Sequence, residues 1–213
     1  DKSYAEELEF CKKIYELLSQ GKMVKSGSYT EEEIAFLNNM DLLTSKPTIF
    51  AANFSEKDFE KKIEENPFYK QVEEIAKEEG SKVLPICAEF EFQISEMEPE
   101  EKQEFLNDMG LEKSGLDRLV SACYSLLGLI SYLTAGKPEV RAWTIKKGTK
   151  APAAAGKIHS DFEKGFIRAE IISYDDLIKC GSIAAAKEKG LLRSEGKEYI
   201  MKDGDVTLFR FNV

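Results

Sequence analysis

The start of the chain has the apolar periodicity of helices. Apolar side chains recur three or four positions apart at Leu8, Cys11, Ile14, Tyr15 and Leu18. This spacing predicts an amphipathic helix that ends near Gly21. The capping-box pattern Thr30-Glu31-Glu32-Glu33 predicts a second, shorter helix that ends near Met40. Because the connection between the two is short, we expect a helical hairpin and assign residues 1–45 to a helical arm.

Two short apolar runs follow the predicted arm. The runs at residues 49–52 and within residues 82–86 predict strands that are buried on both faces. A helix is predicted between them after Pro67, and further helices are predicted after Pro99 and Ser114. Strand, helix and strand in this order are typical of a parallel sheet. We therefore assign residues 46–128 to an α/β unit.

Strands predominate after Gly128. They are predicted at residues 129–133, 141–145, 166–172, 198–201 and 206–211, with helices at residues 152–159 and 182–189. Asp203-Gly204 is typical of a tight hairpin turn, which we place between the last two strands. Residues 129–213 are therefore assigned to a compact α+β domain.

The charge of the chain is uneven. Its 213 residues are 42% apolar and carry a net charge of −9, which argues against nucleic-acid binding by the whole chain. From Lys137 onward, however, 15 Lys/Arg outnumber 11 Asp/Glu, so this part carries +4 and the preceding part −13. The asymmetry indicates two units with different partners. No apolar run approaches the roughly 20 residues of a membrane helix and no signal peptide is visible, so we expect a cytoplasmic location without membrane contact.

The cysteines and the single histidine form no recognisable metal or catalytic pattern. The four cysteines are widely spaced and form no C-x-x-C pair: Cys11, Cys87, Cys123 and Cys180. We expect free, mostly buried thiols and no zinc site. His159 has no second histidine or Ser-His-Asp arrangement around it. We expect a capping or structural role for it.

The polar turn after the first predicted strand is the main candidate site. Asn53-Phe54-Ser55-Glu56 follows that strand directly, and Cys87-Ala88 follows the next strand. Ligands of doubly wound folds bind at the carboxyl ends of strands. We therefore expect the two turns to border one ligand site.

The residue types in these turns suit a purine base. The Asn53 amide can meet a ring edge, and the Glu56 carboxylate can accept a hydrogen bond from a ring N–H or an exocyclic amine. Phe54 can pack on the ring face, and the backbone N–H groups at Cys87-Ala88 can meet the base from the other side. N-x-x-E alone is a weak signal, so a helix-capping turn without a ligand is the alternative.

Basic residues are frequent in the second predicted domain, at Arg141, Lys146, Lys147, Lys150, Lys157, Lys164 and Arg168. Trp143 lies among them in the sequence. Contact with the phosphate backbone of RNA is the functional interpretation. A merely solvated surface is the alternative, because a net charge of +4 is modest. Nothing in the sequence indicates DNA specificity.

Longer motifs resemble one protein family across essentially the whole chain. In the first part they are Lys46-Pro47 before the strand to Asn53-x-x-Glu56, Asn66-Pro67 and Pro85-x-Cys87-Ala88. In the second part they are Gly136 with residues 139–144, residues 151–159, residues 161–170 and the ending 203–213. The sequence resembles the YchF/Obg-like ATPase family of translation-factor-class P-loop proteins.

The resemblance implies an architecture and a set of contacts. Residues 1–45 would be the returning part of a coiled-coil-like insertion, and residues 46–128 the carboxyl-terminal part of the nucleotide-binding domain. Residues 129–213 would be a ubiquitin-like β-grasp domain of the TGS type, which is linked to RNA and ribosome contacts. The family's N-x-x-E motif, associated with preferring ATP over GTP, falls on Asn53 and Glu56. Phe54 would lie against the base, and Cys87-Ala88 would supply backbone contacts.

The phosphate-binding half of a nucleotide site is absent from this sequence. The pattern G-x-x-x-x-G-K-[ST] does not occur, and no Gly-Lys pair is followed by Ser or Thr. D-x-x-G, which helps to place magnesium, is also absent. Family members carry these elements in an amino-terminal portion that we expect this chain to lack. We expect ATP (or GTP) with Mg to bind the full-length protein, and this chain alone to bind neither and to be inactive.

The preferred interpretation is the carboxyl-terminal part of a ribosome-associated, ATP- or GTP-binding regulatory protein. This part would supply purine-base recognition and an RNA- or ribosome-binding domain. The alternative is a non-catalytic β-grasp module that binds a protein partner. Salt distinguishes the two, because RNA binding weakens steeply as the salt concentration rises.

Overall fold

The chain folds into two compact units. A computed structural model describes residues 2–59, 61–136 and 139–212, without the side chains of Lys2 and Ser3. The first unit is Asp1–Cys123 and the second is Tyr124–Val213. None of the helices in the described ranges has the length and apolar character needed to cross a membrane.

Two helices begin the first unit. Helices α1 (Lys2–Ser19) and α2 (Glu31–Met40) share a small apolar core with the connection between them. The Thr30 hydroxyl accepts a hydrogen bond from the Glu33 N–H, and the Glu33 carboxylate accepts one from the Thr30 N–H. The predicted capping box is therefore confirmed. Its two bonds satisfy backbone donors that the first turn of α2 leaves free.

A two-stranded parallel sheet follows. Strand β1 (Ile49–Asn53) pairs with β2 (Lys82–Ile86), so that Asn53 lies opposite Ile86. Between the strands lie the short helix α3 (Glu56–Phe59) and helix α4 (Pro67–Glu78). The predicted strand–helix–strand order with parallel pairing is confirmed. The predicted burial on both faces is wrong, because Ala51 is exposed and Leu84 is the only buried residue of the two strands. Parallel pairing brings the carboxyl ends of both strands to the same edge.

Three helices complete this part of the chain: α5 (Ala88–Ser95), α6 (Pro99–Asp108) and α7 (Gly115–Leu127). Cys87, Phe90, Ile94 and Leu106 form the buried cluster beneath α5 and α6. Helices α3 and α5 begin within three residues of the strand ends, where the sequence predicts only turns. Sequence periodicity does not predict these helices, because segments of four and eight residues are too short to show a repeating apolar pattern.

The second unit is a mixed five-stranded sheet with helices on both faces, consistent with a β-grasp domain. Its strands are β3 (Leu129–Ala135), β4 (Val140–Lys146), β5 (Phe166–Ser173), β6 (Arg193–Glu195) and β7 (Asp205–Phe211), in the sheet order β4-β3-β7-β5-β6. Its helices are α8 (Ala151–Ile158), α9 (Ser160–Lys164), α10 (Tyr174–Cys180) and α11 (Ile183–Glu188). β3 and β7 are parallel, and the other pairs are antiparallel.

The sheet separates two apolar clusters. Tyr132, Ile171 and Phe209 pack with the alanines of α8 on one face. Ile172 and Val206 pack with Ala186 of α11 on the other. Alternation of apolar residues along β7 and β5 places successive side chains in different clusters. The buried Tyr132 hydroxyl donates to the Ala154 carbonyl at 2.8 Å, which joins the sheet to α8.

The predicted last hairpin is wrong. Residues 198–201 form no strand beside β7, whose neighbours are β3 and β5. Instead the Met201 N–H donates to the Thr149 carbonyl and the Ala151 N–H donates to the Tyr199 carbonyl. The segment therefore pairs with the loop before α8. The buried Asp205 carboxylate holds the following turn by accepting from the Lys202 N–H and the Tyr199 hydroxyl.

The predictions for the single histidine and the four cysteines are confirmed only in part. His159 is the N-cap residue of α9, and its Nδ1 accepts from the Asp161 N–H at 3.2 Å, which confirms the expected capping role. All four cysteines are free, as predicted. Only Cys87 is buried, so the expectation of mostly buried thiols is wrong. The other three lie on helices at partly exposed positions.

Candidate functional site

The two candidate turns lie in direct contact at the carboxyl edge of β1 and β2. The Ala88 N–H donates to Asn53 Oδ1 at 2.9 Å. The Phe54 N–H donates to the Ile86 carbonyl at 2.8 Å, which extends the ladder by one residue beyond β1. Because Ala88 is the first residue of α5, its N–H has no partner within that helix. Asn53 satisfies this free donor.

This contact fixes the orientation of the Asn53 amide. A backbone N–H can only donate, so the side-chain atom that faces Ala88 must be the carbonyl oxygen. The Nδ2 group, with its two N–H donors, therefore points away from Ala88. Asn53 is an exposed residue. The edge consequently presents a fixed donor to solvent or to a ligand.

A second side chain holds Glu56. Glu56 is the first residue of α3 and is exposed. Its Oε1 accepts from Gln93 Nε2 of α5 at 2.8 Å. One carboxylate oxygen is thereby oriented, and the other can accept from a ligand. Sequence reasoning missed Gln93, since its contact depends on the direction of the unpredicted α5.

Contacts of Phe54 and Ser55 with other residues of the first unit hold the turn in place. The half-buried Phe54 ring lies 5.8 Å from the Tyr69 ring and 6.5 Å from the Phe59 ring, measured between centroids. The Ser55 hydroxyl donates to Asp58 Oδ2 at 2.9 Å, and the Ser55 carbonyl accepts from the Phe59 N–H. These contacts hold Asn53 and Glu56 on one short, ordered turn.

Cavities lie on both sides of this turn. One of about 330 Å³ is lined by Asn53, Phe54 and Ser55 together with residues of α4. The other, of about 250 Å³, is lined by Glu56, Cys87 and Gln93 with the aromatic side chains below them. Cys87 is fully buried, backbone included, and the Ala88 N–H is already bonded to Asn53, so neither of the backbone contacts expected from Cys87-Ala88 is open to a ligand in this structure. Among the described residues, no group of three or more His, Cys, Asp or Glu side chains could hold a metal ion.

The seven candidate basic residues do not share one surface. Arg141, Lys146 and Lys157 line a single groove of about 800 Å³ between β4 and α8. Lys147 directly follows β4, and Lys150 pairs with Glu198 at 2.6 Å. The other two lie at different positions in the fold: Lys164 ends α9, and Arg168 lies on β5, three strands from β4 and 3.4 Å from Glu170.

An aromatic ring anchors one cation of the groove. The Arg141 guanidinium carbon lies 4.2 Å from the centre of the Trp143 ring. Trp143 Nε1 donates to the Thr134 hydroxyl of β3 at 2.9 Å, which fixes the ring. The guanidinium also lies 3.6 Å from the Glu139 carboxylate. Stacking on a fixed ring orients the charge along the edge of β4.

Several known proteins are similar to this chain. The family YchF-GTPase_C, described as "Protein of unknown function (DUF933)", matches residues 129–212. The Bacillus subtilis "Ribosome-binding ATPase YchF" is 50% identical over 213 residues, covering 100% of this chain and 58% of that protein. "Obg-like ATPase 1" of Oryza sativa subsp. japonica is 38% identical, covering 100% of this chain and 54% of that protein. The chain thus spans little more than half the length of these relatives.

A solved structure extends the similarity to the fold. The YchF GTPase of Schizosaccharomyces pombe superimposes with a TM-score of 0.82 at 35% sequence identity, covering 98% of this chain and 55% of that one. The similarity therefore includes both compact units. By sequence and by fold, the chain belongs to the YchF/Obg-like ATPase family and corresponds to its carboxyl-terminal part, including the YchF-GTPase_C domain.

Proposed function

We propose that this chain supplies two functions to a ribosome-associated nucleotide-dependent regulator: recognition of a purine base and contact with ribosomal RNA. The hydrogen bond between Asn53 and Ala88 carries the first part. It joins the turns at the ends of two adjacent parallel strands, which is where doubly wound folds bind ligands. The relatives named ribosome-binding ATPases support the second part.

The base would be read by a donor and an acceptor in fixed positions. Asn53 Nδ2 faces away from Ala88 and suits a ring nitrogen such as purine N7. The Glu56 carboxylate, held by Gln93, suits the exocyclic amine of adenine or a ring N–H. Phe54 lies between these two residues in the sequence, and the exposed part of its half-buried ring would stack on the base. The pair of cavities beside the turn leaves room on either side.

Exchanging the base-reading residues tests this assignment. The sequence contains no phosphate-binding loop, so the test uses a chimera in which this chain replaces the matching part of the Bacillus subtilis relative. Glu56→Asp combined with Phe54→Lys would move the nucleotide preference from ATP toward GTP, as measured by calorimetric titration of both nucleotides. Phe92→Lys, at an exposed position of α5 that lines neither cavity, serves as the control. Unchanged selectivity in the double variant would defeat the assignment.

The chain by itself supplies only the base contacts. Most of the affinity for a triphosphate comes from a phosphate loop and magnesium, and the sequence has no such loop. We therefore expect no magnesium-dependent ATP binding by this chain at micromolar concentration. Isothermal titration of the purified 213-residue chain checks this. Micromolar affinity would show that the phosphates are held by residues outside the proposed edge.

The basic groove of the second unit would face RNA. Arg141, Lys146 and Lys157 lie together there, and Lys147 follows directly. Each cation that neutralises a phosphate contributes about 0.7–0.9 to the slope of log affinity against log salt. Changing Arg141, Lys146 and Lys147 to Ala would weaken ribosome co-sedimentation of the chimera. It would also make the salt dependence shallower, reducing the magnitude of that slope by about 2. Sedimentation that is unaffected at every salt concentration would favour the solvated-surface alternative.

A further inference from the structure

The groove between β4 and α8 has a feature that RNA binding does not use: the free edge of a strand. β4 is the first strand in the sheet order and pairs only with β3 among the described strands. Alternate residues of β4 form hydrogen bonds with β3. The Gly136 N–H donates to the Glu139 carbonyl at one end, and the Lys147 N–H donates to the Gly128 carbonyl at the other. These two bonds show which backbone groups of β4 point toward β3 and which point outward.

Outward-pointing groups occupy every second residue. In an antiparallel pair, hydrogen-bonded positions alternate, so residues 141, 143 and 145 bond to β3. Val140, Ala142 and Thr144 therefore direct both N–H and C=O away from the sheet. None of these six groups has a hydrogen-bond partner among the described residues. They form a ready template for one more strand, which would lie about 4.8 Å from β4.

The wall opposite this edge leaves space for such a strand. Ala153 and Lys157 lie four residues apart on one face of α8, are both exposed, and line the groove of about 800 Å³ together with the β4 residues. The partly exposed Trp143 supplies apolar surface to the groove, whereas Ile145 is buried in the core of the domain. A small side chain at residue 153 keeps the groove open. The floor therefore suits alternate apolar side chains of an extended peptide.

The charge of the groove indicates which kind of chain could pair with the edge of β4. The described residues that line it include Arg141, Lys146 and Lys157 and no Asp or Glu. A second copy of β4 would bring the same cations against each other, which disfavours pairing between copies. An RNA strand would meet the cations, but its backbone has no regularly spaced N–H donors for the outward carbonyls. An acidic peptide satisfies both the charges and the backbone groups.

We propose that the edge of β4 binds an extended acidic peptide segment of a protein partner by strand addition, with apolar side chains entering the groove beside α8. This inference does not depend on the proposed reading of a purine base. It shares three cations with the proposed RNA contact, so peptide and RNA would compete for the groove and the experiment must separate them.

Amide hydrogen exchange of the 213-residue chain provides the direct test. The probe is an acetylated, amidated seven-residue peptide in which valine alternates with glutamate, and the control peptide has lysine in place of glutamate. On adding the acidic peptide, exchange of the Ala142 and Thr144 amides would slow by at least about tenfold. The Trp143 amide, already bonded to β3, would change little. Equal exchange at Ala142 and Thr144 with and without the acidic peptide overturns the proposal.

A proline substitution separates strand addition from charge. Ala142→Pro removes an outward N–H and leaves all three cations in place, and proline is tolerated on free strand edges. Peptide affinity, measured by fluorescence anisotropy, would fall by at least about tenfold, while Ala142→Ser would leave it unchanged. Equal affinity in Ala142→Pro overturns the proposal.

Two further probes keep the test decisive. A peptide that is N-methylated at alternate residues cannot donate to β4, and its failure to bind supports the proposal even if Ala142→Pro does not fold. A uridine oligonucleotide tests the competing occupant. If the oligonucleotide binds the groove and the acidic peptide does not, the groove is an RNA site and the strand-addition proposal is overturned.

Discussion

Asn53→Asp separates ligand recognition from helix capping at the edge of β1 and β2. Asp has nearly the same shape as Asn and can still accept from the Ala88 N–H, which lies at the first residue of α5. A negative charge at a helix amino terminus is favourable by about 0.3–1 kcal/mol. The free energy of unfolding should therefore stay constant or rise slightly. If Asn53 only caps the helix, nothing else should change.

Nucleotide affinity should respond very differently. The substitution removes both Nδ2 donors and, if Asn53 reads the base as proposed, turns a carboxylate oxygen toward the purine nitrogen. Loss of the hydrogen bond costs about 1 kcal/mol, and the unpaired acceptors add about 1–3 kcal/mol. At 1.4 kcal/mol for each factor of ten, the total of about 2–4 kcal/mol predicts binding weaker by about 30- to 700-fold.

Two measurements decide between these outcomes. Urea denaturation of the chain reports stability, and competition against a fluorescent ATP analogue in the chimera reports affinity. Asn107→Asp, the same change at an exposed position of α6, provides the control. A variant that keeps both its stability and its wild-type nucleotide affinity would refute the reasoning, because the amide donors would then contact no base.

Three further predictions concern the second unit. Tyr132→Phe removes a buried hydroxyl that donates to a helix carbonyl, so urea denaturation should show a loss of about 1 kcal/mol. Gly165→Ala places a Cβ 2.0 Å from a backbone oxygen and should cost about 1–3 kcal/mol, whereas Gly196→Ala meets nothing within 4 Å and should leave the melting temperature nearly unchanged. The hydrogen bonds from Arg210 hold the pKa of Glu170 below its ordinary value. This stabilisation is present above the unfolded pKa of about 4.3 and is lost as the pH falls through the folded value. Glu170→Gln should therefore lower the urea midpoint at pH 7 but not at about pH 2; an equal loss at both would contradict the assignment.

Periodicity was sufficient to predict the longer elements and their order. The helices after Pro67, Pro99 and Ser114 carry their own start signals, and the two apolar runs form the parallel strands. A strand is wrongly predicted at residues 198–201 because an apolar Tyr-Ile-Met run beside a turn has the local pattern of a strand. Its hydrogen bonds go instead to the loop before α8, a contact nearly fifty residues away along the chain. Local sequence does not encode such a partner.

Some contacts of the candidate site could likewise be predicted from the sequence, and others could not. Contact between the turn of Asn53 and that of Ala88 follows from parallel pairing, which the apolar runs indicate. The support of Glu56 by Gln93 requires the direction of α5, and no local pattern predicted that helix. Closeness in sequence also overstated the basic cluster: Arg168 follows Lys164 by four residues but lies on β5, far from the groove of Lys157.

The position of β7 in the sheet has a consequence for biosynthesis. β7 is the last of the five strands to leave the ribosome, yet it lies at the centre, between β3 and β5. Until it emerges, the β3–β4 hairpin and the β5–β6 pair have no strand to connect them. Nascent chains arrested before Asp205 should therefore remain protease-sensitive throughout this domain, and protection should appear in one step once β7 clears the exit tunnel.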